Sequence, residues 1–136
     1  MDTLRTGKKF TLIVSAYQAS NTPLQNLIDT EALYSFIEHE VHAHAIRAVG
    51  IYKGGHEQSF VVHTNSSSKI VLCRRQAYDV HKQECVLVRN NRRHDIKLHH
   101  ADGFNTLIGE HFKQQDNAPK HRDHTILNGT DYYTVI

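Results

Sequence analysis

The chain has 136 residues, the length of one domain. A compact unit of this size buries roughly 68% of the surface its unfolded chain exposes, so a core can form without disulfide staples. With 39% hydrophobic and 22% charged residues, the composition excludes a disordered chain. The +2 net charge is too small to name a nucleic-acid binder from charge alone.

No apolar run approaches the ~20 residues of a membrane span, and Met1–Arg5 lacks the charged-then-apolar pattern of a signal peptide. Cys73 and Cys85 cannot build a disulfide framework and fit buried thiols of a reducing cytoplasm. Twelve histidines stand out. Their full protonation would add twelve charges, so solubility and assembly are expected to depend on pH near about 6.

In chain order, residues 1–8 read as a loose end. Phe10–Tyr17 (FTLIVSAY) is a strand by its aromatic and β-branched content. Gln18–Gln25 reads as a loop. A helix is expected over Asp29–His42, with Leu33, Phe36, Ile37 and Val41 on one face and Asp29 or Thr30 as cap. Ala45–Tyr52 returns as a strand, Gly54-Gly55 marks a turn, and the strand holding Phe60-Val61-Val62 completes a hairpin.

Ser67 or Ser68 is expected to cap a second helix reaching about His81, with Ile70, Cys73, Ala77 and Val80 as its apolar stripe. Cys85–Val88 is a short apolar strand, and Ile96–Leu98 alternates as another. Residues 113–124 read as a polar loop. Asn128-Gly129, between Thr125-Ile126 and Tyr132–Val135, signals a hairpin.

The order strand, helix, strand, strand, helix, strand is that of an α+β, ferredoxin-like βαββαβ sandwich with extra C-terminal strands. Two helices can cover only one face of its sheet. Yet Thr11–Val14 and Val86–Val88 offer apolar groups to both faces, where a sheet with one wet face alternates. A second copy of the same sheet is the simplest cover and implies an oligomer. The alternative is that the C-terminal segment folds over that face.

Chemistry-bearing patterns are sparse. His42/His44, His99-His100 and a helical His39/His42 pair offer metal ligands only in twos, without HExxH or a CxxC pair, so no metal site is expected. Arg89–His94 with Arg74-Arg75 is basic, but the RNA-binding pattern of ferredoxin-like sheets is absent, and a solvated hairpin tip is the preferred reading. The same arginines could meet carboxylates across a subunit boundary. GxSxG, GxGxxG and GxxxxGK[ST] are all missing, and both cysteines read as inert core thiols. What remains is the hairpin Gly50–Phe60, where Tyr52 and Glu57 come close if they share a face. A tyrosine ring and a carboxylate together can hold a cation.

Several segments, in order, resemble the bacteriophage S-adenosylmethionine lyases, formerly called S-adenosylmethionine hydrolases (SAMases). Leu12–Tyr17 is similar to the family's opening strand, which runs into Ser-Ala-aromatic. Gly50-Ile51-Tyr52 resembles its Gly-apolar-Tyr, and His56–Ser59 the acidic segment that follows. Gln83–Val88 is similar to its acid-Cys-Val-Leu-Val strand. Ala118-Pro119, Thr125-Ile126 and Val135 resemble its C-terminal hairpin.

The resemblance implies a single S-adenosylmethionine-degrading domain over residues 1–136. It also implies a PII-like homotrimer with active sites between subunits, and cleavage of S-adenosylmethionine to 5'-methylthioadenosine and L-homoserine lactone. No cofactor or metal is implied, since S-adenosylmethionine is the substrate, and neither a membrane nor a nucleic-acid partner is expected. The setting implied is the host cytoplasm, where loss of the methyl donor blunts restriction. Carried over residue by residue, Glu57 and Tyr52 would be catalytic. Val14, Ser15, Ala16, Tyr17, Ile51 and Ser59 would bind substrate, the main chain of 14–17 lining the adenosine pocket. The alternative is a non-enzymatic PII-like trimeric sensor of an adenosine ligand.

Overall fold

The computed structural model describes residues 4–52, 55–115, 117, 123–127 and 131–136. Among these residues nine strands form one antiparallel sheet: β1 (Phe10–Ser15), β2 (Ile46–Tyr52), β3 (Gly55–Thr64), β4 (Cys85–Asn90), β5 (Asp95–His100), β6 (Asn105–Gly109), β7 (Phe112–Gln115), β8 (His124–Leu127) and β9 (Asp131–Val135). Their spatial order is β6-β5-β4-β1-β3-β2-β8-β9-β7. Two helices, α1 (Pro23–Ser35) and α2 (Ser67–Arg75), each run on into a π-helical turn, Phe36–Val41 and Gln76–Val80.

α1 begins six residues before the expected Asp29. Thr22 caps it by accepting from the Gln25 amide (3.1 Å), and Pro23 occupies the first turn. There proline costs nothing, because its missing N–H would be unpaired anyway. The proline that reads as a loop residue is therefore a helix start. Ser66, one residue before the expected pair, caps α2 through the Lys69 amide.

The π turns shift which residues face inward, because each adds one residue to a turn. On the second helix Ile70, Cys73 and Ala77 are buried as expected, but Val80 is 57% exposed and His81 is buried instead. Both helices pack on one face of the sheet, where Leu33, Ile37, Ile70, Cys73 and Ala77 meet Leu12, Val14, Phe60, Val62, Val86 and Val88. Arg47 of β2 ties α1 down by a two-pronged bond to Glu31 (2.9 and 3.1 Å), with its guanidinium over the Tyr34 ring. The pair is exposed to solvent, so it contributes little to stability.

The other face is shaped by a length argument. β6 and β7 stand at opposite edges of the sheet, eight strand spacings or roughly 38 Å apart if it were flat. Yet only Glu110 and His111 join them, a link of about 10 Å at full stretch. The sheet must curl until its edges meet. Around the join, the Glu110 and His111 amides donate to the Ile136 carbonyl (2.7 and 3.1 Å), and the Ile136 amide donates back to His111 (2.9 Å).

A second core fills the curl: Leu4, Ala48, Val61, Leu127 and Tyr133, with Ile13, Ile46 and Phe112 against them. The C-terminal strands thus cover much of the face for which a second copy was the simplest expectation. The N-terminal segment is not loose throughout, since Leu4 is buried in this core. The expected polar loop at 113–124 begins as strand β7, paired with β9, and ends on His124, the first residue of β8. Residues 116 and 118–122 lie outside the described residues, as do Gly54 and the Asn128-Gly129 turn. β8 and β9 nevertheless pair as the hairpin signal required.

Candidate active site

Strand parity assigns the candidate residues to faces. On β3, Phe60 and Val62 enter the helix-side core and Val61 the inner core. Glu57 and Ser59 therefore share the inner face with Val61. Gly50 of β2 stands opposite Glu57, and Thr125 of β8 stands on the far side of Gly50. Tyr133 of β9 follows Thr125. The next row inward runs Ser15, Ser59, Ala48, Leu127. Cys85 opens β4 on the same face, two residues before Leu87, the partner of Ile13.

Gly50 is the gap in this surface. It has no side chain to stand between Glu57 and Thr125. A Cβ there would first meet the Glu57 carbonyl oxygen at 3.8 Å, an ordinary contact. Glu57 is half-buried and has neither an ion pair nor a hydrogen bond among the described residues. Burial pushes its carboxyl above the usual range. The Cys85 thiol is pushed up as well, chiefly by burial and then by the charges of Glu84 and Glu57. Ser59 is buried, and its Oγ has no hydrogen-bond partner among the described residues.

The end of β1 is held rigidly. Ser15 Oγ donates to the Gln58 carbonyl (2.7 Å) and accepts from the Tyr17 amide (3.0 Å). Gln83 Nε2 donates to the Tyr17 carbonyl (2.7 Å). Asn26 clasps Gln18, accepting from its amide (2.9 Å) and donating to its carbonyl (3.0 Å). This bracing by Gln83 and Asn26 has no sequence signature, because the partners lie 8 to 66 residues apart.

Of the other sequence-derived residues, Val14 and Ala16 turn their side chains into the helix-side core, which leaves only their main chain for a ligand. Ile51, next to Gly50, takes the opposite parity from it. Tyr52 ends β2 opposite Gly55, and its side chain lies outside the described residues. Thr125 and Tyr133 were missed as site neighbours, because only the curl brings the C-terminal hairpin beside Gly50.

Cys73 fits its reading as an inert core thiol: it is buried, and burial pushes it up to about 11. Among the described residues, no group of three or more His, Cys, Asp or Glu side chains converges as a metal site would require. The basic turn is partly spent inside the fold, with Arg89 Nε donating to the Glu110 carbonyl at the join (2.8 Å).

A half-buried carboxylate beside a glycine gap and an unpaired hydroxyl suits a small ligand that brings positive charge or hydroxyl groups of its own. The α+β fold places this strip of modest polarity on the inner face of the sheet. The chain matches the profile of the S-Adenosylmethionine lyase family over residues 12–136, nearly its whole length, and belongs to that family. The protein is accordingly an enzyme acting on S-adenosylmethionine. No curated protein matches the chain significantly. Among the described residues no helix is long and apolar enough to cross a membrane.

Proposed function

We propose that the protein cleaves S-adenosylmethionine to 5'-methylthioadenosine and L-homoserine lactone. In this reaction a carboxylate oxygen of the substrate attacks its own γ-carbon. The carbon–sulfur bond breaks, and its electron pair returns to sulfur, which leaves as a neutral thioether. No proton moves, so no general base is needed. A negative and a positive charge vanish together, so a site that strips water from both favours the step. Folding the methionine chain into its ring-closing shape adds an orientation gain.

Glu57 is assigned to hold the substrate by its ribose hydroxyls or positive groups, and Tyr52 to stand near the sulfonium. Ser59 and the main chain of Val14–Tyr17 with Ile51 are assigned to adenosine binding. One observation carries the site: a half-buried carboxylate, unpaired among the described residues, on the inner face beside Gly50, the inner-face position of β2 between Ala48 and Tyr52.

We read β1–β4 with α1 and α2 as a ferredoxin-like unit; the spatial order β4-β1-β3-β2, with both helices on one face, supports this. The same reading makes the active form a homotrimer with sites between subunits. Apolar side chains left uncovered support it: Phe104 and Leu107 around edge strand β6, and Leu24 and Leu27 on α1. The biological role proposed is depletion of the host's methyl donor in its cytoplasm, which counters restriction by phage-infected cells.

The test is incubation with S-adenosylmethionine and early product identification. Lactone as first product, with no label from ¹⁸O water at the γ-carbon, is expected. Labelled homoserine as first product would make the enzyme a hydrolase in which Glu57 activates water. Unchanged ligand after long incubation would leave a sensor. Glu57→Gln is expected to lower turnover at least ~100-fold with the oligomer intact; full activity would remove Glu57 from the site.

A further inference from the structure

A cavity lies on the opposite side of the sheet from Glu57. It has a volume of about 220 Å³ and opens between α2 and strands β4 and β5. Its floor is apolar, made by Phe10, Ile70 and Val88. Its polar wall carries the cations Arg74 from α2 and Arg93 and Lys97 from the β4–β5 hairpin, with His99 beside them, against the single carboxylate of Asp95. Asp95 stands 3.8 Å from Arg93 and offsets that charge, which leaves Arg74 and Lys97 in excess.

Arg74 is the unusual member. Its Nη1 donates to His99 Nδ1 at 2.7 Å. Arginine has only donors, so His99 Nδ1 must accept, and the ring is neutral with its proton on Nε2. Burial and then the charges of Arg74 and Lys97 hold His99 below the usual histidine range. Tyr78 fixes the same residue by donating to the His99 carbonyl. Arg74 Nε is buried and has no hydrogen-bond partner among the described residues. A guanidinium N–H left dry and unpaired costs free energy, and a bound acceptor would recover it.

We propose that this cavity is a binding site for a small phosphate oxyanion, with Arg74 and Lys97 as its principal ligands. A guanidinium and an ammonium lining one cavity, with a neutral imidazole as a third donor, match the acceptor oxygens of a phosphate. The apolar floor admits a short organic group, so the ligand class is a phosphomonoester or inorganic phosphate itself. The site does not depend on the lyase reading, because none of its residues is assigned to that reaction.

Titration of the wild-type protein with inorganic phosphate and, separately, phenyl phosphate tests it, followed by calorimetry and by the His99 ring signals in NMR. Saturable binding is expected for both. Phenyl phosphate should bind more tightly if the floor holds the organic group; equal affinity would assign the site to phosphate alone. A bound dianion should raise the His99 pKa, a response that charge screening elsewhere on the surface would not localise. Arg74→Gln and Lys97→Gln should each weaken binding at least tenfold. Lys97→Gln keeps the test decisive if removal of Arg74 disturbs folding. Absence of saturable binding, or equal binding by the folded Lys97→Gln variant, overturns the proposal.

Discussion

Gly50→Val separates the cleft from the fold. Gly50 has an ordinary strand conformation, not the left-handed one that only glycine favours, and a Cβ there meets nothing closer than 3.8 Å. The backbone therefore accepts a side chain. Glycine inside a strand costs about 0.5–1 kcal/mol against alanine, and valine suits a strand better still. The variant should gain roughly that amount, or about 2–5 °C in melting temperature for a chain of this size. The same three carbons would stand between Glu57 and Thr125, where the substrate is proposed to lie. A displacement of about 1 Å in such a site can cost ~100-fold, so kcat/KM should fall by about 10–100-fold. Thermal melting and S-adenosylmethionine turnover on one preparation give both numbers. A variant as active as its parent would refute the cleft at Gly50; one that fails to fold would refute the packing around it.

The packing around Glu57, Tyr133 and Gly109 sets three further outcomes. Burial raises the Glu57 carboxyl, so the fold favours its protonated form, and ionising it costs stability as pH rises through the glutamate range. Glu57→Gln should melt above the parent at neutral pH, with the gap closing in acid; a variant melting lower at pH 7 would mean an unrecognised partner for Glu57. Tyr133→Ala empties the inner core of its largest side chain, 2% exposed, and should cost about 3–5 kcal/mol in one cooperative denaturation transition. A separate early transition would make the C-terminal strands an appendage. Gly109→Ala would put a Cβ 2.8 Å from the Ile136 carbonyl oxygen, at the join of the curled edges. It should cost about 1–3 kcal/mol by chemical denaturation; a neutral result would mean the edges are not held together.

The first four strands and both helices were legible because each carries a local signal: β-branched and aromatic content, a short apolar run, or an apolar stripe at helical spacing. The misreadings share a cause. Pro23 breaks helices in their interior but starts them in the first turn, and only the cap made by Thr22 tells the two apart. Val80 obeys the α-helical stripe, yet a π turn rotates it out and brings His81 in. The curl left the faintest trace. It follows from a two-residue link between strands that turn out to be at opposite edges, a relation between pairings that no local pattern encodes. For the same reason Glu57 was legible as a candidate, but its neighbours Thr125 and Tyr133 were not.

The curl also explains how one small sheet can carry sites of opposite sign. Glu57 faces the inside, whereas Arg74 and Lys97 line a cavity on the helix side, so the sheet stands between them. S-adenosylmethionine brings a sulfonium and an ammonium against one carboxylate, and is net positive. Its approach is favoured on the Glu57 side and opposed on the Arg74 side, while a phosphate experiences the reverse. Had both sets lain on one face, Arg74 or Lys97 would have paired with Glu57, and the carboxylate would have been lowered instead of raised. Burial is the cause of its upward direction, and the parity that places Arg74 and Lys97 on the helix side keeps their charges from opposing it.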